Sequence, residues 1–144
     1  MRFLLDVNVL IALIVPDHVL HMGAHRWFRS NPDRLWATCP LTQGGFLRLS
    51  KIAMAGSRDG VSQALARLDF DCRSPLHEYW PVDVDLRDLS DSQRSRLIGH
   101  NQITDMQLLL LAHRRKGQLA TFDQSLGNLA KATGYGDSVM VLEV

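Results

Sequence analysis

The stretch from Arg2 to Ile14, RFLLDVNVLIALI, constrains the fold more than any other part of the chain. Phe3 to Leu5 form a short apolar run that ends at Asp6. Apolar residues then recur at Val9, Leu10, Leu13 and Ile14 with helical spacing, until Pro16 stops them. The pattern predicts a buried strand running directly into a helix with a carboxylate at the junction. The carboxyl ends of strands are where open α/β sheets place their ligand sites. Asp is also a favoured helix N-cap, so Asp6 alone leaves both a site and a cap open.

The remaining segments repeat this alternation. An amphipathic helix is expected over Asp17–Ser30, closed by the turn Asn31-Pro32-Asp33. A buried strand follows at Leu35–Cys39, and Pro40 opens a helix running to about Ala55. Gly44-Gly45 within it cost about 1 kcal/mol each against Ala, which suggests close packing there. Another helix starts at Ser57-Arg58-Asp59, and Tyr79–Val82 reads as a strand whose Pro81 assigns it to an edge. Ser90 to Gln93 has the pattern of a capping box for a short helix reaching about Ile98. Ile103–Arg115 is expected to be a buried helix, because Leu108 to Ala112 are apolar nearly all round. Leu119–Phe122 is a strand that ends in Asp123, as Phe3–Leu5 ends in Asp6. A helix from Gln124 to about Thr133 leads to a last strand, Val139–Leu142. Strands alternating with helices imply an α/β fold, a parallel sheet covered on both faces. The 144 residues suit one domain, 1–144.

Three acids converge in this scheme. Parallel strands place Asp6 and Asp123 on the same sheet edge, and the N-terminal turn of the helix carrying Asp105 lies at that edge too. Clustered carboxylates repel one another unless a cation is present. Oxygen-only ligands suit Mg²⁺ or Mn²⁺, and a water activated by such an ion attacks phosphodiesters. The net charge of +1 gives no independent sign of a polyanion partner. Cys39 and Cys72 have neither metal nor redox spacing, and free thiols in a reducing cytoplasm are expected. No secretory signal and no apolar run long enough to span a bilayer is visible, so a cytoplasmic protein without membrane contact is expected.

Four segments together resemble the PIN domain family, specifically the VapC-type ribonuclease toxins of VapBC toxin–antitoxin pairs. They are Leu4–Leu10, Pro40–Leu49, Ile103-Thr104-Asp105 with the leucine-rich helix after it, and Leu119–Asp123. The resemblance implies a PIN-like three-layer α/β/α fold around a mainly parallel sheet of about five strands. It further implies a Mg²⁺-dependent (or Mn²⁺-dependent) endoribonuclease inhibited by a VapB-type antitoxin, with a homodimer as the common assembly. Asp6, Asp105 and Asp123 would then be catalytic metal ligands, with Asn8, Thr104 and Thr121 in support. The family's second acid is usually a Glu, and that position here resembles Gln43. A neutral amide cannot act as a general base and holds a cation less well. An alternative function is therefore a catalytically weakened or silent PIN protein that binds RNA or a partner.

His18, His21 and His25 share a helical face and read as a solvated or antitoxin-facing stripe. Met22, Trp27 and Phe28 are core candidates or, where exposed, part of an antitoxin groove. Arg26, Arg29, Arg48, Lys51, Arg114 and Arg115 are candidates for a basic rim facing RNA phosphates.

Overall fold

In a computed structural model, which describes residues 1–33, 35–50 and 59–144, the chain alternates strands and helices as its periodicity requires. In order these are β1 (Phe3–Leu5), α1 (Val7–Ile14), α2 (His21–Ser30), β2 (Trp36–Thr38), α3 (Pro40–Leu49), α4 (Gly60–Cys72) and β3 (His77–Tyr79). There follow α5 (Asp91–Arg94), α6 (His100–Arg114), β4 (Gln118–Thr121), α7 (Gln124–Thr133) and β5 (Val139–Val141), with 3₁₀ turns at Leu86–Asp88 and Gly136–Ser138. The strands form one sheet in the order β3-β2-β1-β4-β5, and every pairing is parallel.

Alternation along the strands divides the core in two. Leu4, Ala37 and Leu119 face α6 and α7, where they meet Met106, Leu108, Leu109, Leu126 and Leu129. Phe3, Leu5, Trp36 and Ala120 face the other way, against Val9, Leu10 and Ile14 of α1 and Phe46, Ala64 and Leu68. A strand covered on both faces reads as a continuous apolar run, which is why Phe3-Leu4-Leu5 shows no polar alternation. The expected five-strand α/β/α architecture is present.

Several boundaries differ from expectation. The second helix begins at His21 rather than Asp17, because Pro16 and a turn intervene and the His18 ring accepts the Leu20 N–H over 3.1 Å. The helix after Pro40 is described to Leu49; its expected continuation to Ala55 falls partly on 51–58, which lie outside the described residues, as do Ser57 and Arg58. The edge strand is His77–Tyr79, two residues before Pro81. The Ser90–Gln93 capping box forms as expected, yet its helix ends at Arg94. The buried helix starts at His100, where the Gln102 side chain accepts the Gly99 N–H over 3.0 Å. Asp105 therefore lies in its second turn, not its first.

The histidine stripe has an intramolecular role. Helix α1 leaves its last carbonyls without intrahelical donors, and two are met by α2: His21 Nδ1 lies 2.8 Å from Ala12 O, and His25 Nε2 lies 2.8 Å from Leu13 O. The two rings pack with centroids 4.4 Å apart. His21 and His25 thus fasten α2 to the end of α1 instead of standing fully solvated, and His25 also lines the cavity between α1 and α2.

Gly45 explains the glycine pair. A Cβ there would lie 2.5 Å from Val7 Cγ2, so α3 and α1 pack within this chain through the missing side chain. No such neighbour crowds Gly44 beyond the flexible Arg48 side chain. Gly45→Ala is expected to destabilise the fold by about 1–3 kcal/mol despite its better helix propensity, read as a lower denaturant midpoint at unchanged slope.

Candidate active site

The sheet register builds the site. Leu5 of β1 pairs with Ala120 of β4, and Asp6 N–H donates to Ala120 O over 2.9 Å, so Asp6 stands beside Thr121 at the carboxyl edge. Asp6 caps α1, accepting Val7 N–H at Oδ1 over 2.8 Å. Its other oxygen accepts the Thr121 hydroxyl over 2.7 Å. Cap and site are not alternatives here, because one carboxylate has two oxygens.

Thr121 is fully buried and links three segments. Besides donating to Asp6, its oxygen accepts the Asp123 N–H over 3.0 Å and the Asn8 amide over 3.4 Å. Asn8 returns from α1 to accept the Phe122 N–H over 3.3 Å. Asp123 caps α7 with Oδ1 alone, which accepts Ser125 N–H over 2.9 Å and Ser125 Oγ–H over 2.7 Å. Asp105 receives no hydrogen bond from any described residue.

These differences decide the electrostatics. Burial pushes the Asp6 carboxyl up, opposed by the Thr121 and Val7 donors and reinforced by the Asp123 charge. Asp105, with no donor to stabilise its anion, is pushed up to about 6, by burial first and then by the charges of Asp6 and Asp123. The three expected acids therefore lie within one another's field. Among the described residues, however, no three side chains of metal-ligating type stand close enough together to hold an ion as they are placed. The donor set fits a hard cation: it is all oxygen and anionic, and the charges of Asp6 and Asp123 add to the burial that pushes Asp105 up to about 6.

The supporting residues divide. Asn8 and Thr121 hydrogen-bond within the site. Thr104 is exposed and its side chain makes no hydrogen bond with any described residue, so no support of a carboxylate by Thr104 is seen. Gln43, in the first turn of α3, donates its amide N–H to Thr38 Oγ1 over 3.0 Å, and no contact between it and the three acids is seen. Arg114 and Arg115 lie at the far end of α6 and pair with Asp83 at 3.2 and 3.5 Å, away from the acidic edge, and so leave the proposed basic rim. Lys51 lies outside the described residues. Ser125, Thr38 and His77 were not anticipated; Thr38 closes an apolar strand as Thr121 does, and that recurrence was a readable signal.

The PIN domain profile matches residues 3–132. The chain belongs to the PIN domain family. Within it, the chain is 41% identical to ribonuclease VapC44 of Mycobacterium tuberculosis over 126 residues, 88% of this chain and 89% of that protein. It is 41% identical to ribonuclease VapC29 of the same organism over 145 residues, 99% of this chain and 97% of that one. This PIN domain also superposes on the crystal structure of M. tuberculosis VapC20, a sarcin–ricin loop cleaving toxin, with a TM-score of 0.60. That match covers 88% of this chain and 93% of VapC20 at 17% identity, a likeness of fold. Among the described residues no helix is long and apolar enough to cross a membrane.

Proposed function

We propose that this PIN domain is a Mg²⁺- or Mn²⁺-dependent endoribonuclease, the toxin of a type II toxin–antitoxin pair, acting in the cytoplasm as a single domain over 1–144. The observation that carries this reading is the electrostatic coupling of Asp6, Asp105 and Asp123 at one sheet edge, in a chain about 40% identical to ribonucleases along most of its length. Asp6, Asp105 and Asp123 would hold the cation, which when bound supplies positive charge for a scissile phosphate and lowers the pKa of water. The chain's own residues fix the rest. Thr121 orients Asp6 and the Asp123 backbone together, Asn8 ties α1 to the β4–α7 turn, and Ser125 engages one oxygen of Asp123, leaving the other toward a ligand.

A VapB-type antitoxin is the proposed inhibitor. A cavity of about 240 Å³ between α1, α2 and α4, lined by Leu10, Leu13, Phe28 and Leu76 with Arg67 and Asp71 on its wall, suits an apolar anchor of an amphipathic segment. A homodimer, as is common among such toxins, is part of the same reading.

One observation favours a second reading. The Gln43 amide is engaged by Thr38 rather than by the acids, so the site lacks its fourth carboxylate, as a silent RNA- or partner-binding module would. A cleavage assay on structured RNA, with Mg²⁺ or with chelator, separates the two. The chain as it stands is expected to cleave with Mg²⁺ alone, and to be silenced when the antitoxin is added. Cleavage only by Gln43→Glu would favour the silent module. RNA binding without cleavage by either would defeat the ribonuclease reading.

A further inference from the structure

A line of polar side chains runs beneath the carboxyl edge of β2, from α3 across to β3. Gln43 Nε2 donates to Thr38 Oγ1 over 3.0 Å, and Thr38 Oγ1 lies 2.8 Å from His77 Nε2. Thr38 is fully buried, and the other two are half-buried. The Cys72 backbone beside the His77 ring opposes the lowering of its pKa by burial, as a carbonyl near a ring N–H does; since Nε2 faces Thr38, the nitrogen open to that carbonyl is Nδ1.

One set of bond directions satisfies the whole line: burial favours the neutral His77 ring, and with its one proton on Nδ1 the Nε2 atom accepts. Thr38 has a single hydroxyl hydrogen, and Nε2 takes it. The Thr38 oxygen is then an acceptor and must be met by the NH₂ of residue 43, not by its carbonyl. The Thr38 hydroxyl also faces the Cys72 thiol, which burial pushes up and this hydroxyl pulls down; a neutral thiol is a weak acceptor and competes poorly with the ring nitrogen for the Thr38 hydrogen. The Gln43 carbonyl oxygen receives no hydrogen bond from any described residue.

We propose that His77 is a positioning residue: through Thr38 it fixes the Gln43 amide with nitrogen inward and carbonyl oxygen free, a neutral acceptor at the carboxyl edge for an O–H donor, the attacking water or a ribose hydroxyl. The proposal rests on the ribonuclease reading for its consequence in cleavage, but not for the direction of the network. It also gives an amide at position 43 a use of its own, since a carboxylate there would find no donor in Thr38.

The first test is spectroscopic and independent of activity. In protein labelled with ¹⁵N-histidine at pH 7.5, two-bond ¹H–¹⁵N correlations are expected to show His77, assigned by its loss in His77→Gln, as the Nδ1–H tautomer. Thr38→Val is expected to move its Nε2 resonance toward that of an unbonded acceptor. An Nε2–H tautomer would reverse every bond in the line and overturn the proposal. The second test is kinetic. Thr38→Val is expected to lower kcat roughly three- to tenfold, the worth of one hydrogen bond, with KM nearly unchanged. Thr38→Ser should restore the rate, and the loss should shrink in a Gln43→Ala background. An equal loss in that background would show that Thr38 acts by some other route and would overturn the positioning role. An Nδ1–H tautomer in a wild-type chain that cleaves no RNA would overturn the ribonuclease reading and leave the network intact.

Discussion

Asp105→Asn is expected to make the metal-free protein more stable and the enzyme inactive. Asp105 sits among the charges of Asp6 and Asp123 without a hydrogen-bond donor, and its carboxyl is pushed up to about 6. The native state keeps that proton up to about pH 6, whereas the unfolded chain releases it near 3.8. The contribution to stability is therefore complete below about pH 4 and is lost as pH rises through 6. Asp6, also pushed up, acts in the same direction. For a half-exposed group screened by solvent, the loss is on the order of 1 kcal/mol. Removing the charge should recover it, raising the metal-free melting temperature at pH 7.5 by about 2–5 °C and flattening its decline between pH 4 and 6. RNA cleavage in Mg²⁺ should fall by about 10³-fold or more, since the substitution removes a charge held for a ligand. Melting scans across pH and a cleavage assay check the two halves. A melting temperature lowered by Asp105→Asn would mean that the carboxylate is structural.

Thr121→Val is expected to act in the opposite sense on stability. The hydroxyl is fully buried, donates to Asp6 Oδ2 and accepts the Asp123 N–H. Valine keeps the shape and removes both functions, leaving a half-buried carboxylate oxygen and a backbone N–H unpaired. The cost is about 2–4 kcal/mol, large against the total stability of a domain of this size. Because Asp6 loses the donor that lowers its pKa, it should also bind protons more readily. Denaturant unfolding of Thr121→Val, with Thr121→Ser as the variant that restores the hydroxyl, measures the effect. A loss under about 0.5 kcal/mol would show that the hydroxyl does not hold the two acids together.

How far the sequence could be read follows from which signals are local. Periodicity located four of the five strands, since runs such as Phe3–Leu5 and Leu119–Thr121 are apolar and bounded by turn residues, whereas the edge strand expected at Tyr79–Val82 lies at His77–Tyr79. Asp6 and Asp123 were legible because a parallel sheet sends every strand end to one edge. Helix starts were less legible. Asp17 resembles a cap, yet Pro16 and the His18–Leu20 contact delay α2, and Ile103 marks the first apolar step of a helix that Gly99 and Gln102 had already begun. The histidines of α2 were illegible because their partners are backbone carbonyls of another helix, and no side-chain pattern announces these. Gln43 is a departure visible in the sequence, but its partner Thr38 comes from β2 and the partner of Thr38, His77, from β3. Only the packing of β2 against β3 joins them.

In the proposed enzyme Asp6, Asp105 and Asp123 share one divalent cation. Calorimetric titration of Mg²⁺ into the chain at pH 7.5, and into Asp6→Asn, Asp105→Asn and Asp123→Asn, tests it most directly. Saturable binding that each substitution weakens at least about tenfold, in variants that remain folded, is the predicted result. Magnesium affinity left unchanged by all three would contradict it.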